Sequence, residues 1–330
     1  MKHGANIYKY AKQLKCTSKE IVDFSSNINF YNPKNNLKFT NNTIAKYPDP
    51  NYTRLKSKIA KVYELKKSNI ALFNGATTAI FELIKSLQEK RIYLYAPLYG
   101  EYEKASKEKK IIKINRFENI DQKIKKNSIV VFVNPSTPDG KYYNLHKLLK
   151  KWMKKKCTII IDESFLEFEG LKSVRNFIKI YKKLYIIQSF SKFYGCAGVR
   201  IGAVFSHKNN IKTLNTPLWN ISALDEKLLI SRLQDKKFKN RSKKLHQKQK
   251  KQLIKILANS NLFDEIYKSD ANFILTKSRS AKQIFNSLLE NKILTRDCNS
   301  FDFLDETYLR FGIKEIKKHQ KLKKAIGEIS

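Results

Sequence analysis

Cysteine is scarce in this chain. Its 330 residues include four, Cys16, Cys157, Cys196 and Cys298, with no C-x-x-C pair and no metal-ligand spacing. In a chain of this length they read as free thiols of a reducing cytoplasm, which sets aside a disulfide scaffold and a zinc module. No apolar run approaches the roughly 20 residues that span a membrane. The opening Met1-Lys2-His3-Gly4-Ala5-Asn6 has no apolar stretch behind its charge, so it does not read as a secretory signal. No internal repeat or low-complexity linker is evident. Acidic residues are also few, 29 against 67 lysines and arginines, which leaves a formal net charge of +38.

Such a charge invites a nucleic-acid reading. That reading needs basic residues gathered on one face, with interleaved aromatics or a known binding motif. Here the lysines are spread throughout, with no zinc finger and no RNA-recognition signature. The densest run, 243–255, alternates with Leu245, Leu253 and Ile254 like the solvated side of an amphipathic helix. A lysine-rich surface is the favoured account, with no specific nucleic acid and no membrane as partner. The positive field would help to collect an anionic, phosphorylated substrate.

Hydrophobic residues make up 42% of the chain, enough to bury a core in one large domain plus a smaller one. From about residue 70, short β-rich apolar runs alternate with helical spacing. Strands are predicted over 70–73, 92–96, 111–115, 129–133, 158–162, 184–188 and 201–205, with helices over 78–87 and 145–154 among them. Continuous apolar strands alternating with helices imply a mostly parallel sheet covered on both faces. Short strands at 273–276, 292–295 and 308–311 suggest a smaller α+β domain. A boundary is expected near Thr216-Pro217, giving an N-terminal arm over 1–40, a large domain over 41–216 and a small domain over 217–330.

In open α/β sheets ligands bind beyond the carboxyl ends of the strands. Asp162, Ser189 and Ser191-Lys192 all fall at such ends. A lysine at the end of a buried strand is costly if charged and unpaired. Once desolvated, its amine suits covalent attachment to a carbonyl. Two hydroxyls and Arg200, eight residues on, make an anion site. Taken alone, Lys192 could equally snorkel to the surface, in a chain with lysines everywhere.

The whole string S-x-S-K…R resembles the pyridoxal-phosphate (PLP) lysine motif of class I and II aminotransferases. The resemblance implies the PLP-dependent transferase fold type I, an α/β architecture in which a large domain with a mostly parallel sheet flanked by helices carries a smaller α+β domain. It implies that Lys192 carries the cofactor and that Ser189, Ser191 and Arg200 hold its phosphate. Thirty residues upstream, Ile161-Asp162-Glu163-Ser164-Phe165 resembles the family strand ending in a buried aspartate, which keeps the pyridine nitrogen protonated. The bland account of Asp162 is a helix N-cap. Asn74-Gly75-Ala76-Thr77-Thr78 is similar to the family's phosphate loop, with glycine allowing close approach and a helix N-terminus offering N–H groups. Tyr99 falls where the family stacks an aromatic on the cofactor ring, and Tyr47 matches a tyrosine given across a homodimer interface to the neighbour's phosphate. The turn Asn134-Pro135-Ser136-Thr137-Pro138-Asp139-Gly140 departs from the family's N-P-N-N-P-T-G, because Thr137 stands where an asparagine bonds the cofactor's phenolic oxygen.

Two branches of this family handle phosphorylated amino substrates, histidinol-phosphate aminotransferases and threonine-phosphate decarboxylases of cobalamin synthesis. His3-Gly4-Ala5-Asn6-Ile7, followed by Asp23-Phe24-Ser25-Ser26-Asn27-Ile28-Asn29, resembles the decarboxylase opening H-G-G-N-I…D-F-S-A-N-I-N. Phe165 sits where many of the aminotransferases carry a tyrosine. The resemblance further implies that Arg310 pairs with a substrate α-carboxylate, that Arg296 holds a substrate phosphate, and that His3 and Asn27 complete the pocket. Guanidinium groups suit both anions because they bond bidentately. The expected activity is decarboxylation of L-threonine O-3-phosphate. The alternatives are a histidinol-phosphate-type aminotransferase, or decarboxylation of serine phosphate, whose missing methyl is worth only about 1 kcal/mol of discrimination.

Overall fold

A computed structural model describes residues 6–33, 37 and 39–329. Strand β1 is the short pair Val22–Asp23. The seven that follow are β2 (Ile70–Asn74), β3 (Arg91–Ala96), β4 (Lys110–Asn115), β5 (Ile129–Val133), β6 (Thr158–Asp162), β7 (Leu184–Ser189) and β8 (Ile201–Ser206). They form one sheet in the order β2-β8-β7-β6-β5-β3-β4. All pairings are parallel except those of β8, which runs against both β2 and β7. Each of these strands overlaps a run predicted from the sequence.

The sheet is covered on both faces, and β5 shows how. Its alternate residues Ile129, Val131 and Val133 join one apolar cluster while Val130 and Phe132 join another, as the period of two requires. The first cluster is closed by Ile80, Leu83 and Ile84 from the helix Gly75–Ser86. The second is closed by Leu55, Ile59 and Tyr63 from the helix Thr53–Tyr63 and by Trp152 from the helix His146–Lys154. Burying a side chain of this size contributes about 1.5–3 kcal/mol. A charge in place of fully buried Ile160 would break the centre of this packing.

The C-terminal part carries β9 (Glu265–Ile266), β10 (Phe273–Lys277), β11 (Ile293–Leu294), β12 (Arg296–Asp297) and β13 (Tyr308–Gly312). Four of them make an antiparallel sheet in the order β12-β13-β10-β9. The run 292–295, expected as one strand, is broken at Thr295. Ile293 and Leu294 pair in parallel with β1, whereas Arg296 and Asp297 turn to pair with β13. Val22 and Phe24 therefore share an apolar cluster with Leu253, Ile284, Phe311 and Leu322, so the N-terminal segment packs with the small sheet. Leu229, Ile230 and Phe238 pack with the core of the large sheet.

The lysine-rich run lies on the helix Phe238–Ala258. Its buried stripe is Phe238, Ser242, His246, Gln249, Leu253 and Leu257, half of it polar. Leu245 and Ile254 are only partly buried. Asn29 reaches two of the polar members, donating to Ser242 Oγ and lying 3.0 Å from His246 Nε2. No described helix is long and apolar enough to cross a membrane.

Candidate active site

Strand ends of the large sheet and residues of the small sheet close around a cavity of about 350 Å3. Asn27, Ala76, Thr77, Tyr99, Thr137, Asp162, Ser189, Ser191, Lys192, Arg200, Arg296 and Arg310 all line it. Gly75, which precedes Ala76 in the chain, is not among them. Tyr47 is not among the lining residues. It is 78% exposed and stacks on Trp219 with ring centroids 4.4 Å apart. His3 lies outside the described residues.

Lys192 sits in the single helical turn Phe190–Phe193 that follows β7. The turn is pinned by Asn29, whose backbone N–H donates to the Lys192 carbonyl at 3.0 Å and whose side chain donates to the Phe193 carbonyl at 2.6 Å. Burial, aided by the Arg310 and Arg200 charges, pulls the Lys192 amine down to about 8. Asp162 ends β6, where its carboxylate accepts from Tyr102 Oη at 2.8 Å and from the Ser164 backbone at 2.9 Å. Burial raises its pKa while those bonds and Lys192 oppose the rise. Asp162 does not cap a helix, because the next helical turn begins at Leu166 with Phe165 as its cap.

The anion cradle is built by close approach. Gly75 opens the helix Gly75–Ser86 at φ +81°, and a Cβ there would stand 2.6 Å from Arg200 Nη2. Gly202 on β8 lets that strand touch the backbone of Gly75 and Ala76, space a Cβ would fill. Thr77 and Tyr99 hydroxyls lie 3.3 Å apart above it. Ser189 ends β7 and Ser191 donates to the Val199 carbonyl at 3.3 Å.

On the opposite wall, β12 and β13 place Arg296 and Arg310 as direct cross-strand partners. Arg310 is buried, donates to Thr137 Oγ1 at 3.0 Å and to the Ser25 carbonyl at 3.2 Å, and has no carboxylate in ion-pair reach among the described residues. Arg296 donates to Ser300 Oγ at 2.7 Å and lies over Phe301. The turn bearing Thr137 is fixed by the buried Arg116–Asp139 ion pair, with Arg116 also donating to the carbonyls of Pro97 at 2.5 Å and Thr137 at 3.2 Å. Phe165 is buried against Phe273 and offers the cavity no hydroxyl. Asp162 is the one carboxylate among the described lining residues, facing Lys192, Arg200, Arg296 and Arg310.

Sequence reasoning missed Tyr102, Asn29, Ser300 and the Arg116–Asp139 pair. Tyr102 carried a signal, since it lies three residues after Tyr99 where a helix begins and so shares its face.

A desolvated lysine amine, a buried carboxylate on the next strand and a glycine-floored anion cradle suit an aldehyde-bearing aromatic phosphate. Together with the β8 reversal in an otherwise parallel sheet, they define a PLP-dependent enzyme of the type I transferase fold. The model of the family "Aminotransferase class I and II" matches residues 1–329. The chain belongs to that family, and its cofactor is pyridoxal 5′-phosphate. It is 30% identical over 307 residues to a histidinol-phosphate aminotransferase of Francisella philomiragia, covering 86% of this chain and 84% of that one. It is 26% identical to a putative threonine-phosphate decarboxylase of Caldanaerobacter subterraneus, covering 94% and 89%. The crystal structure of the histidinol-phosphate aminotransferase from Clostridium acetobutylicum superimposes with a TM-score of 0.80 at 31% identity, over 93% of this chain and 98% of that one.

Proposed function

We propose that this chain removes the α-carboxylate of a phosphorylated amino acid, L-threonine O-3-phosphate, to give aminopropanol O-2-phosphate in the cytoplasm. The observation that carries the reading is that Arg296 and Arg310 stand side by side on one wall of the cavity that Lys192 also lines. It offers two guanidinium groups beyond the anion cradle, as a substrate with both a carboxylate and a phosphate requires. The decarboxylase-like segment 23–29 supports the same reading, since Asn27 lines the cavity and its carbonyl is held by Asn272 at 2.7 Å.

PLP supplies an electron sink for a bond broken at the substrate's α-carbon. Lys192 would hold the cofactor and would supply a proton to the substrate's α-carbon. Asp162 would accept from the pyridine nitrogen and keep it protonated, and Tyr99 would pack on the ring. Gly75, Ala76, Thr77, Ser189, Ser191 and Arg200 surround the cofactor phosphate. Arg310 would hold the substrate's α-carboxylate and so would orient the bond to it for cleavage in preference to Cα–H. Arg296, with Asn27 and His3, takes the substrate phosphate. Tyr47 completes the phosphate site of a second copy in a homodimer, a role its exposure on the Trp219 stack supports.

The second reading, transamination of histidinol phosphate, is favoured by the 30–31% identities to aminotransferases. Threonine phosphate, serine phosphate and histidinol phosphate are each supplied with and without 2-oxoglutarate, and CO2 and glutamate are followed. CO2 from threonine phosphate without a keto acid is expected. Glutamate from histidinol phosphate, with no CO2 from either phosphoamino acid, overturns the decarboxylase reading.

A further inference from the structure

Lys314 is a buried lysine for which the reaction above has no use. It is 6% exposed and follows β13 by two residues. Its ammonium donates to the carbonyl and to the hydroxyl of Ser26, both at 2.9 Å. Burial pulls it down to about 8, with Asp23 and Glu315 favouring the charge and Lys318 and Arg310 opposing it. It is therefore an ammonium at neutral pH.

An ammonium has three donors and no acceptor. Ser26 Oγ must accept from it, which leaves the serine's own proton to be donated elsewhere, and no described residue accepts that proton. The same contact polarises the O–H and strengthens it as a donor. Ser26 lines the cavity beside Arg310 and Lys192. Its neighbour Ser25 accepts from Arg310 through its carbonyl. Asp23 fixes the segment from behind, accepting from the Ser25 and Ser26 backbone at 2.8 and 3.2 Å. The motif that this segment resembles has alanine at position 26, so the hydroxyl belongs to this chain.

We propose that Ser26, with Lys314 behind it, donates a hydrogen bond to the substrate carboxylate seated on Arg310, and so helps to set specificity for substrates that carry one. The inference rests on the proposed function only in requiring that a carboxylate reach Arg310. Its rival is that Lys314 merely anchors the backbone. The two differ at Ser26→Ala, which keeps the carbonyl contact and removes only the hydroxyl.

The test titrates holoenzyme with two carboxylate-bearing amines, threonine phosphate and L-glutamate, and with phosphoethanolamine, which has a phosphate and no carboxylate. Binding is read from the visible absorbance of the cofactor. Ser26→Ala is expected to weaken the carboxylate-bearing ligand about 10-fold, the worth of a charge-assisted bond. Phosphoethanolamine should bind as in the wild type. Lys314→Met should act in the same direction, Lys314→Arg should restore binding, and Lys314→Met should add nothing in the Ser26→Ala background. Unchanged carboxylate binding in Ser26→Ala, or equal weakening of all three ligands, overturns the inference. If wild type binds glutamate and not threonine phosphate, the proposed substrate falls, and the glutamate arm still decides the role of Ser26.

Discussion

Lys192, proposed to carry the cofactor, should titrate far below a solvent lysine, and the sign of each contribution can be tested. The Lys192 amine is pulled from 10.5 to about 8, first by burial, then by Arg310 and Arg200, with Asp162 opposing and Lys314 adding a smaller push. That displacement favours the neutral amine by about 3 kcal/mol. At pH 7 about one amine in ten is then neutral, against about one in 3,000 for an ordinary lysine. Only the neutral form attacks an aldehyde, so PLP uptake by cofactor-free protein should rise with pH and level off above about 8. Arg310→Met removes a charge that disfavours the ammonium, so the midpoint should move up and uptake at pH 7 should slow. Asp162→Asn removes a charge that favours it, so the midpoint should move down. Stopped-flow absorbance between pH 6.5 and 10 reads both. A flat profile, a wild-type midpoint near 10.5, or both variants moving the same way would refute the reasoning.

Two further outcomes follow from the geometry. Gly202→Ala forces a Cβ into the backbone of Gly75 and Ala76, so equilibrium dialysis should show PLP affinity falling by at least about 10-fold. Sedimentation should give a dimer, and Trp219→Ser, which removes the surface stack under Tyr47, should shift it toward monomer; a wild-type monomer with full activity contradicts the shared site.

The large sheet was legible because its signal is local. A strand buried on both faces needs an unbroken apolar run, and β5, β6 and β8 each supply one. Lys192, Asp162 and the Gly75 loop were legible for a related reason, since each stands where such a run stops. The long helix was harder. Its lysines mark the solvent side, yet its buried side includes Ser242, His246 and Gln249, which no apolar periodicity reveals. Ser242 and His246 are met by Asn29, more than 200 positions earlier in the chain.

By itself, then, the sequence determined the layer of parallel strands, the ends at which polar residues gather, and the lysine, aspartate and glycine loop of the candidate site. Those depend on residue type and spacing within a few turns of chain. Tertiary structure alone decided the opposite wall of the cavity. Thr137, seen in sequence only as a departure from a turn motif, accepts from Arg310 across 173 positions. The run 292–295 divides between two sheets because β1 and β13 arrive on either side of Thr295. Ser26 meets Lys314 across 288 positions, joining an ordinary hydroxyl to one lysine among many. Such pairings are set by which surfaces remain to be buried once the sheets have formed, and no local pattern records them.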